Sequence, residues 1–571
     1  MSESDGRPAP EAAQARNERA AADAREAAES RKMVRDAGML SALTMVSRVL
    51  GLIREMTKAV FLGTGVLSDA FSVSFMIPNF MRRLFAENSI AVAFIPTYKG
   101  YLHEKDEAST REFLSSSLTV LTILVCGVVA LGIAATPLIV KAFGSDPGET
   151  VILTRIMFPF LALVSFAALF QGILNSYGIF APTGYAPILF NVCFIVVPWA
   201  ISRWTANPAR AMAVGVLIGG FAQALCQLPS VLKTGVRFGF ISPRRAFRNP
   251  GMKKVFALIA PTIIGMAAYQ INDLVSTAFA SRAGTGVASS LQYSLRLQEL
   301  ILGIFAVSAG TVLLPGLADA VRRADWPNYS ARLGKTLQTL LIATVPVAVF
   351  SMITGEQIVA LLFKRGGFSD ESVRLTASAF FWHQTGLVFI ASNRVIAPAF
   401  YARSDSKTPA WAGIASFAVN ILIVSLVARP FKGPGIAFAL SFSSAVNTAI
   451  LVAVLLRRRT EGMAPALAKG GLYALKLLAF SLTAAVPVLL LKAPLEAAFS
   501  GARSNLVAIG VPFALLTLVY AIIGVGLLVV AKDSVAGSSL PPSAPAAGGD
   551  AKSMPSSRLS SIALDIALRK W

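Results

Sequence analysis

Long apolar runs follow one another along most of this 571-residue chain, separated by short stretches of Gly, Pro and charged residues. A helix needs about 20 apolar residues to cross the roughly 30 Å hydrocarbon layer of a membrane, and most of these runs reach that length. The pattern therefore predicts an all-α polytopic membrane protein with about fourteen transmembrane helices. The predicted spans are residues 39–62, 70–98, 113–143, 151–177, 183–202, 211–233, 255–281, 291–318, 334–354, 373–401, 409–428, 433–456, 471–491 and 504–531.

The composition agrees with a membrane protein. Hydrophobic residues make up 55% of the chain and charged residues only 14%, and the mean hydropathy is +0.65. Soluble globular domains carry about 25% charged residues. A soluble globular protein is therefore excluded.

The sequence contains an internal repeat. Residues 63–66 (Gly-Thr-Gly-Val) precede a long apolar run that ends at Pro96, and residues 284–287, with the same four letters, precede one that ends at Pro315. The copies begin about 220 residues apart, which corresponds to six predicted spans and keeps both copies in the same orientation. We therefore expect two six-helix lobes related by a pseudo-two-fold axis along the membrane normal, with a cavity between them and two extra C-terminal helices.

Six segments are predicted along the chain. They are a charged N-terminal arm (1–36), an N-lobe with helices 1–6 (37–235), a basic linker (236–254), a C-lobe with helices 7–12 (255–458), helices 13 and 14 (471–532) and a disordered tail (533–571). The tail is rich in Ser, Pro, Gly and Ala, which bury too little apolar surface to order a chain.

The distribution of basic residues predicts an orientation. Lys and Arg number 52 against 30 Asp and Glu, a net charge of +22. With a cytoplasmic N-terminus, the predicted cytoplasmic loops hold roughly twice as many basic residues as the external loops, as the positive-inside rule requires. Both termini are therefore expected in the cytoplasm.

Charged residues inside the apolar spans are the candidates for chemistry. Each costs at least about 2.5–3.5 kcal/mol near the bilayer centre, so such residues normally face a wet cavity or a partner. Most of them lie in spans one, two, seven and eight, which open the two repeats and would form the walls of a cavity between the lobes. They are Arg48, Arg54, Glu55, Lys58, Arg82, Arg83, Glu87, Asp273, Arg296 and Glu299.

Spacing along the helices predicts two local ion pairs. Arg83 and Glu87 are four residues apart, and Arg296 and Glu299 are three apart. Both spacings place the two side chains on one helical face.

Other arginines are left without a local counter-ion. Arg82 and one of Arg48 and Arg54 form this surplus. The planar, permanently charged guanidinium suits a phosphate, so the surplus indicates an anionic ligand. Structural ion pairs that hold the repeats together are the alternative.

Metal, cofactor and catalytic motifs do not stand out. Cys126, Cys193 and Cys226 lie within apolar runs, and His103 and His383 have no other ligand at metal-binding spacing. No nucleotide-binding loop, nucleophile elbow or Ser/His/Asp set is recognisable. We therefore expect a protein that is not an enzyme, has no cofactor or bound metal, binds no nucleic acid and draws on the membrane potential.

Several short motifs lie at and between the charged positions. They are Ser47-Arg48-Val49-Leu50-Gly51 with Arg54-Glu55, Ser68-Asp69-Ala70-Phe71, the run Pro78 to Glu87, Phe94-Ile95-Pro96, Tyr293 with Arg296-Leu297, Leu313-Leu314-Pro315, and Asp405 with Lys407-Thr408-Pro409. As a set, covering about residues 37–532, they resemble the MurJ/MviN family of lipid II flippases.

The resemblance implies a fold and an activity. The fold is that of the multidrug/oligosaccharidyl-lipid/polysaccharide exporter superfamily, two six-helix lobes in a V with two added helices that form a groove for a lipid tail. The implied substrate is lipid II, the undecaprenyl-pyrophosphate-linked disaccharide-pentapeptide, moved by alternating access from the inner to the outer leaflet of the bacterial cytoplasmic (inner) membrane. Membrane lipids and cell-wall synthesis proteins are the implied further partners.

The resemblance also implies site residues. The arginines regarded as essential in the family correspond to Arg48, Arg54, Arg82 and Arg296, its acidic positions to Glu55 and Asp69, and a cavity serine to Ser289. Together with the charged neighbours Arg83, Glu87 and Glu299, they form the predicted substrate-binding set.

Sodium coupling, which the resemblance associates with some relatives, is not supported by this sequence. The acidic positions expected in helices seven and eleven align with Ser276 and Val424, and only Asn420 and a shifted Asp273 lie near them.

Two alternatives to lipid II transport stay open at the level of sequence. A flippase for another undecaprenyl-pyrophosphate-linked glycan would share a basic cavity. A membrane scaffold that transports nothing would instead bind partners through the basic residues between Lys233 and Lys254 and through both tails.

Overall fold

The structure is a computed structural model, and it describes residues 35, 38–83, 90–144, 147–531, 533 and 535. These residues are almost entirely helical and contain no β-strand, which confirms the all-α prediction. The predicted arm and tail lie outside the described residues except for these isolated positions, and so does Glu87. Their predicted roles stay predictions.

The helices of the first half occupy the same stretches of chain as the predicted spans. Helix α1 covers residues 38–62. The next elements are α2 (Val66–Arg82), a π-helical segment (Ile90–Phe94), α3 (Ile95–Glu104), α4 (Glu107–Phe143), α5 (Pro147–Met157), α6 (Phe160–Ser176), α7 (Ala181–Ile201), α8 (Pro208–Leu225) and α9 (Leu228–Lys233).

The second half begins with a short helix in the predicted linker. The elements are α10 (Pro243–Arg248), α11 (Pro250–Ala283), α12 (Val287–Arg322), α13 (Trp326–Ile353), α14 (Gly355–Phe363), α15 (Asp370–Tyr401), α16 (Lys407–Arg457), α17 (Met463–Phe499), a π-helical segment (Leu506–Gly510) and α18 (Val511–Val530).

Local sequence explains where several of these helices begin and end. Asn207 accepts a hydrogen bond from the Arg210 amide at 3.0 Å and is followed by Pro208, the residue type favoured in the first helical turn. Asn249 caps α11 in the same way. Gly144 ends α4 in the left-handed conformation, with φ of 68°, which glycine adopts without strain.

Several predicted spans are divided in the structure. The span 151–177 is divided into α5 and α6 at Phe158 and Pro159, and the span 70–98 is divided between α2, the π-helical segment and α3. The break predicted between the spans 409–428 and 433–456 is present as a kink at Lys432 of α16, whose φ of 48° and ψ of −129° are not helical. Pro430 and Pro434 flank this kink, and proline removes a helical hydrogen bond.

Among the described residues, eight helices are long and apolar enough to cross a membrane. Pro250–Ala283 and Val287–Arg322, which carry Asp273 and Arg296, are not among these eight. The protein is therefore a multi-pass membrane protein by helix length and composition, and the number fourteen stays a prediction.

The chain forms two compact units. The first contains the described residues up to 300, 359–383 and 410–443, and the second contains residues 301–358 and 384–409 and the described residues from 444 onwards. The core of the first unit includes Phe71, Phe160, Phe190 and Phe194, all less than a tenth exposed. In α8, Gly220 approaches Phe160 so closely that a Cβ there would lie 2.7 Å from the ring.

Within the second unit, the two C-terminal helices pack on α13. Val349 of α13, Ala484 and Val488 of α17 and Leu516 of α18 form one buried cluster. The hydroxyl of Tyr520 donates a hydrogen bond to the Pro346 carbonyl at 3.0 Å. This bond gives the polar end of a largely buried tyrosine a partner inside an apolar environment.

Candidate anion-binding cavity

The first unit contains an open cavity of about 1180 Å³. Helices α1, α2, α7, α11, α12, α15 and α16 contribute to its wall. The residues that line it are Arg54, Glu55, Lys58, Phe71, Phe75, Met76, Asn79, Phe80, Arg83, Phe194, Asp273, Ser276, Thr277, Ala280, Ala288, Leu291, Gln292, Leu295, Arg296, Glu299, His383, Ile436 and Leu440. Many of the charges that the sequence places inside apolar spans therefore share one cavity.

A chain of charges crosses the cavity wall from α1 to α12. Glu55 Oε1 lies 2.8 Å from Arg54 Nη2 and 3.7 Å from Arg296 Nε, and Glu55 is buried. Arg296 also binds Glu299 at 2.6 Å, which confirms the predicted i,i+3 pair. The bridge from Glu55 to Arg296 joins residues from the two repeats, so spacing within one helix gave no signal of it.

Arg54 is held from a third helix. Its Nη1 donates to Asn191 Oδ1 of α7 at 3.2 Å, and Asn191 Nδ2 donates to the Ser47 carbonyl at 3.1 Å. The guanidinium lies 5.5 Å from the Phe194 ring centroid, within the range of a cation–π contact. Asn191 was not among the predicted site residues, although a lone amide in an apolar span is a usable signal for such a role.

Arg82 and Arg83 follow one another at the end of α2 and bind different partners. Arg82 Nε donates to Asn79 Oδ1 at 3.0 Å. Arg83 Nη1 lies 3.5 Å from Asp273 Oδ2 of α11. The predicted partner of Arg83, Glu87, lies outside the described residues, so the pair with Asp273 is the one that the structure describes.

The sequence left open whether Arg48 or Arg54 lacks a counter-ion, and among the described residues it is Arg48. It is half-buried on α1, six residues before Arg54. Within the described part of the chain, no ion pair or hydrogen bond of its side chain is formed, whereas Arg54 has Glu55. Arg48 does not line the cavity itself.

Asp69 and Ser289 bind each other. Asp69 Oδ1 accepts hydrogen bonds from the Ser289 backbone amide at 2.8 Å and from its hydroxyl at 2.7 Å, while Oδ2 accepts from the Gly286 amide at 2.5 Å. The carboxylate of α2 thus caps the N-terminus of α12, where the helix dipole favours an anion. Neither residue lines the cavity in this structure, and their role in substrate binding stays a prediction.

Further hydrogen bonds join the turn between α1 and α2 to other elements of the same unit. The Gly367 amide donates to the Val60 carbonyl at 2.7 Å, Thr64 donates to Ser372 at 2.8 Å, and Tyr293 donates to the Gly63 carbonyl at 3.2 Å. Gly63 has a φ of 55°, and a Cβ there would overlap the Gly367 carbonyl. Glycine is therefore required at this position.

The residues present do not fit an acid-lined sodium site. Asn420 Nδ2 donates to Asn272 Oδ1 at 2.6 Å and to Ser276 Oγ at 3.2 Å, and Val424 is buried in an apolar cluster. Asp273, the nearby carboxylate, is bound to Arg83. These neutral side chains hydrogen-bond to one another, and within the described chain no group of His, Cys, Asp and Glu is arranged to hold a metal ion.

Comparison with known proteins identifies the family. The family model described as "Lipid II flippase MurJ" matches residues 58–529. This chain belongs to the MurJ family. It is 42% identical over 509 residues to the "Probable lipid II flippase MurJ" of Treponema pallidum (strain Nichols), which covers 88% of this chain and 96% of that protein. It is 33% identical over 432 residues to the "Lipid II flippase MurJ" of Burkholderia cenocepacia, with 73% and 83% covered.

Solved structures show the same fold as this MurJ-family chain. "Lipid II flippase MurJ, inward closed conformation" superposes with a TM-score of 0.71 over 86% of this chain and 99% of that one, at 23% identity. An inward-facing multidrug resistance MATE family transporter of the MOP superfamily superposes with a TM-score of 0.60 over 77% and 98%, at 14% identity. The predicted superfamily fold is therefore confirmed.

Proposed function

We propose that this protein is a flippase that moves lipid II from the inner to the outer leaflet of the bacterial cytoplasmic membrane. The observation that carries the proposal is the charge of the cavity. Its described lining residues include four cations, Arg54, Lys58, Arg83 and Arg296, against three carboxylates, Glu55, Asp273 and Glu299. Relatives of this chain bear the name lipid II flippase, and the head group of lipid II carries a pyrophosphate.

Glu55 explains how two arginines stay close together before a substrate binds. Its carboxylate lies between Arg54 and Arg296 and offsets one of their charges, and Glu299 offsets the other from the far side of Arg296. A guanidinium has five N–H donors, and only some of them are used by Glu55, Glu299 and Asn191. The remaining donors suit the oxygens of a diphosphate, which guanidinium groups bind bidentately. Arg48 and Arg82 extend the proposed binding set, as the family resemblance implies.

The hydrocarbon tail of the substrate has an apolar surface available on the C-terminal helices. On α17, Leu475 and Leu490 are 64% and 71% exposed, and on α18, Ile522 is 62% exposed. Exposed leucine and isoleucine side chains are stable in contact with hydrocarbon, which is the solvent around a transmembrane helix. We propose that the tail lies along these helices while the head group occupies the cavity.

The membrane potential supplies a driving force for this transport. The inside-negative potential favours outward movement of an anion by about 2.3 kcal/mol per charge for each 100 mV. No bond of the substrate is made or broken in this step, so the protein acts as a transporter and not as an enzyme. The proposed step uses no sodium ion.

Transport by purified protein in liposomes tests the proposal. We expect Arg54→Ala and Arg296→Ala each to lower lipid II movement to the outer leaflet at least about tenfold, because each variant removes charge-assisted hydrogen bonds to the head group. Arg374→Ala is the matched control, since Arg374 pairs with Glu371 and does not line the cavity. Normal transport by both cavity variants would contradict the proposal.

Two further arms address the alternatives. If the protein moved another undecaprenyl-pyrophosphate-linked glycan and not lipid II, the proposed identity of the substrate would be contradicted. Deletion of residues 1–36 and 535–571 should leave lipid II transport intact, whereas a scaffold that binds partners through its tails would lose its activity. Membrane lipids and cell-wall synthesis proteins are the further partners that we expect.

A further inference from the structure

Lys58 is a buried cation whose hydrogen-bond partners are both neutral. Its side chain is 4% exposed, and its ammonium donates hydrogen bonds to Ser72 Oγ of α2 at 2.8 Å and to Gln292 Oε1 of α12 at 3.2 Å. Among the described residues, no carboxylate lies within ion-pair distance of this ammonium. The substrate-binding set predicted from the sequence does not include it.

Neutral partners are unusual for a charge at this depth. A buried charge is costly unless it is paired, and the other cations that line the cavity have carboxylates, Glu55 for Arg54 and Arg296 and Asp273 for Arg83. Asp69 lies three residues before Ser72 on α2 but is engaged by the N-terminus of α12. Glu55, one helical turn before Lys58, and Asp69 act on this charge from beyond ion-pair distance, so neither carboxylate occupies an N–H group of the ammonium.

Two aromatic rings hold the ammonium in place. It lies 4.8 Å from the ring centroid of Tyr293 and 5.8 Å from that of Phe71. Such rings favour a cation but leave its N–H groups free for stronger acceptors. An ammonium has three N–H donors, and Ser72 and Gln292 occupy two of them.

Lys58 follows Arg54 on the same face of α1, whereas Arg48 lies on a neighbouring face. Arg48, Arg54 and Lys58 extend over ten residues, about 15 Å at the helical rise of 1.5 Å per residue. Lys58 lines the same cavity as Arg54 and Arg296, one helical turn beyond Arg54. An anion held by Arg54 and Arg296 therefore shares its cavity with Lys58.

We propose that Lys58 is a further substrate-binding residue, which binds a phosphate oxygen of the head group in exchange for its hydrogen bonds to Ser72 and Gln292. This inference rests on the proposed function, because it assigns the anion to the lipid-linked diphosphate. The hydrogen bonds of Lys58 connect α1 to α2 through Ser72 and to α12 through Gln292 in the first unit. Binding of the anion releases both connections.

Binding of inorganic pyrophosphate to the full-length protein in nanodiscs tests this directly. Lys58→Gln should weaken binding about tenfold, the loss expected for one charge-assisted hydrogen bond, and Lys58→Arg should restore most of it. Ser72→Ala removes a competing acceptor and should leave binding equal or tighter. Lys476→Gln is the control, because Lys476 is a lysine whose charge is already paired with Asp533 at 2.6 Å.

Each result supports or overturns the assignment. Unchanged pyrophosphate affinity in Lys58→Gln would overturn it. An equal loss of affinity in Ser72→Ala would also overturn it, because that result is expected if the hydrogen bond between Lys58 and Ser72 only stabilises the fold. The melting temperature of each variant shows that it is folded, and Lys58→Arg retains the charge if Lys58→Gln does not fold.

Lipid II transport by the wild-type protein separates this inference from the proposed function. Normal transport by wild-type protein and by Lys58→Gln would leave the proposed function standing and overturn the role of Lys58. Pyrophosphate binding that depends on Lys58 in a protein that does not move lipid II would leave the anion site standing and overturn the substrate.

Discussion

Glu55 of α1 and Arg296 of α12 form an ion pair with a distance of 3.7 Å between Oε1 and Nε, although they belong to different repeats of the sequence. The same carboxylate binds Arg54 at 2.8 Å. One buried anion thus holds together two cations that would otherwise repel each other. Under the proposed function, Glu55 offsets this repulsion until the anionic head group binds.

Glu55→Gln should destabilise the protein and make it more responsive to anions. We expect a loss of about 2 kcal/mol, less than the cost of breaking a fully buried pair, because Arg296 is 37% exposed. Inorganic pyrophosphate should then raise the melting temperature of this variant more than that of the wild type, since the anion replaces the missing carboxylate. Thermal unfolding in nanodiscs measures both effects, with Glu371→Gln as an exposed control. An equal pyrophosphate shift in all three proteins would refute this view of Glu55.

Asp69 and Ser289 should be energetically coupled. The Ser289 hydroxyl and amide both donate to one oxygen of Asp69, so each single substitution removes part of the same contact. We expect Asp69→Asn and Ser289→Ala to be non-additive by about 1 kcal/mol in a double-mutant cycle, measured by thermal unfolding. The two changes would simply add if the contact contributed nothing to stability.

Asp405 gives a testable pH dependence at acidic pH. Two hydrogen bonds from Thr408, by its amide at 3.0 Å and its hydroxyl at 2.6 Å, together with Arg458, lower the pKa of this carboxyl from 3.8 to about 2. A lowered pKa in the folded state means that the stabilisation is complete above pH 3.8 and is lost as the pH falls through 2. Solvent screening limits it to about 1 kcal/mol.

Asp405→Asn should therefore lower the melting temperature at pH 5 and have little effect near pH 2. Thr408→Val, which removes only the hydroxyl donor, should have a melting temperature at pH 5 between those of the wild type and Asp405→Asn. A constant difference between wild type and Asp405→Asn from pH 5 to pH 2 would show that the carboxyl is not the titrating group.

Gly63 should be intolerant of any side chain, whereas Gly65, two residues later, should not. Gly63 has a φ of 55° and faces the Gly367 carbonyl, while a Cβ on Gly65 has no neighbour within 4 Å. The backbone conformation alone costs about 1–3 kcal/mol in Gly63→Ala, and the steric overlap adds to it. The melting temperatures of Gly63→Ala and Gly65→Ala measure the difference, and equal values would mean that the turn adjusts freely.

Much of the local structure was predictable from the sequence. The first predicted span, 39–62, matches the helix at residues 38–62 within one residue, because an apolar run of that length has few alternatives to a helix in a membrane. Arg296 and Glu299 pair as their spacing predicts, since residues three apart on a helix are always neighbours. The gap predicted between the spans 409–428 and 433–456 contains the non-helical residue Lys432, because Pro430 and Pro434 on either side of it remove helical hydrogen bonds.

The sequence by itself determined the class of protein, the approximate helices and the types of charged residue buried in them, because these depend on composition and on contacts within one helical turn. Tertiary structure alone decided the partners: Glu55 with Arg296, Asn191 with Arg54, Asp273 with Arg83, and Ser72 and Gln292 with Lys58. These residues are separated by up to about 240 positions, and helical periodicity constrains neighbours only within one helix. Which faces of different helices meet depends on how the apolar surfaces of the whole unit pack, and that packing determines which cations keep a charge available for a substrate.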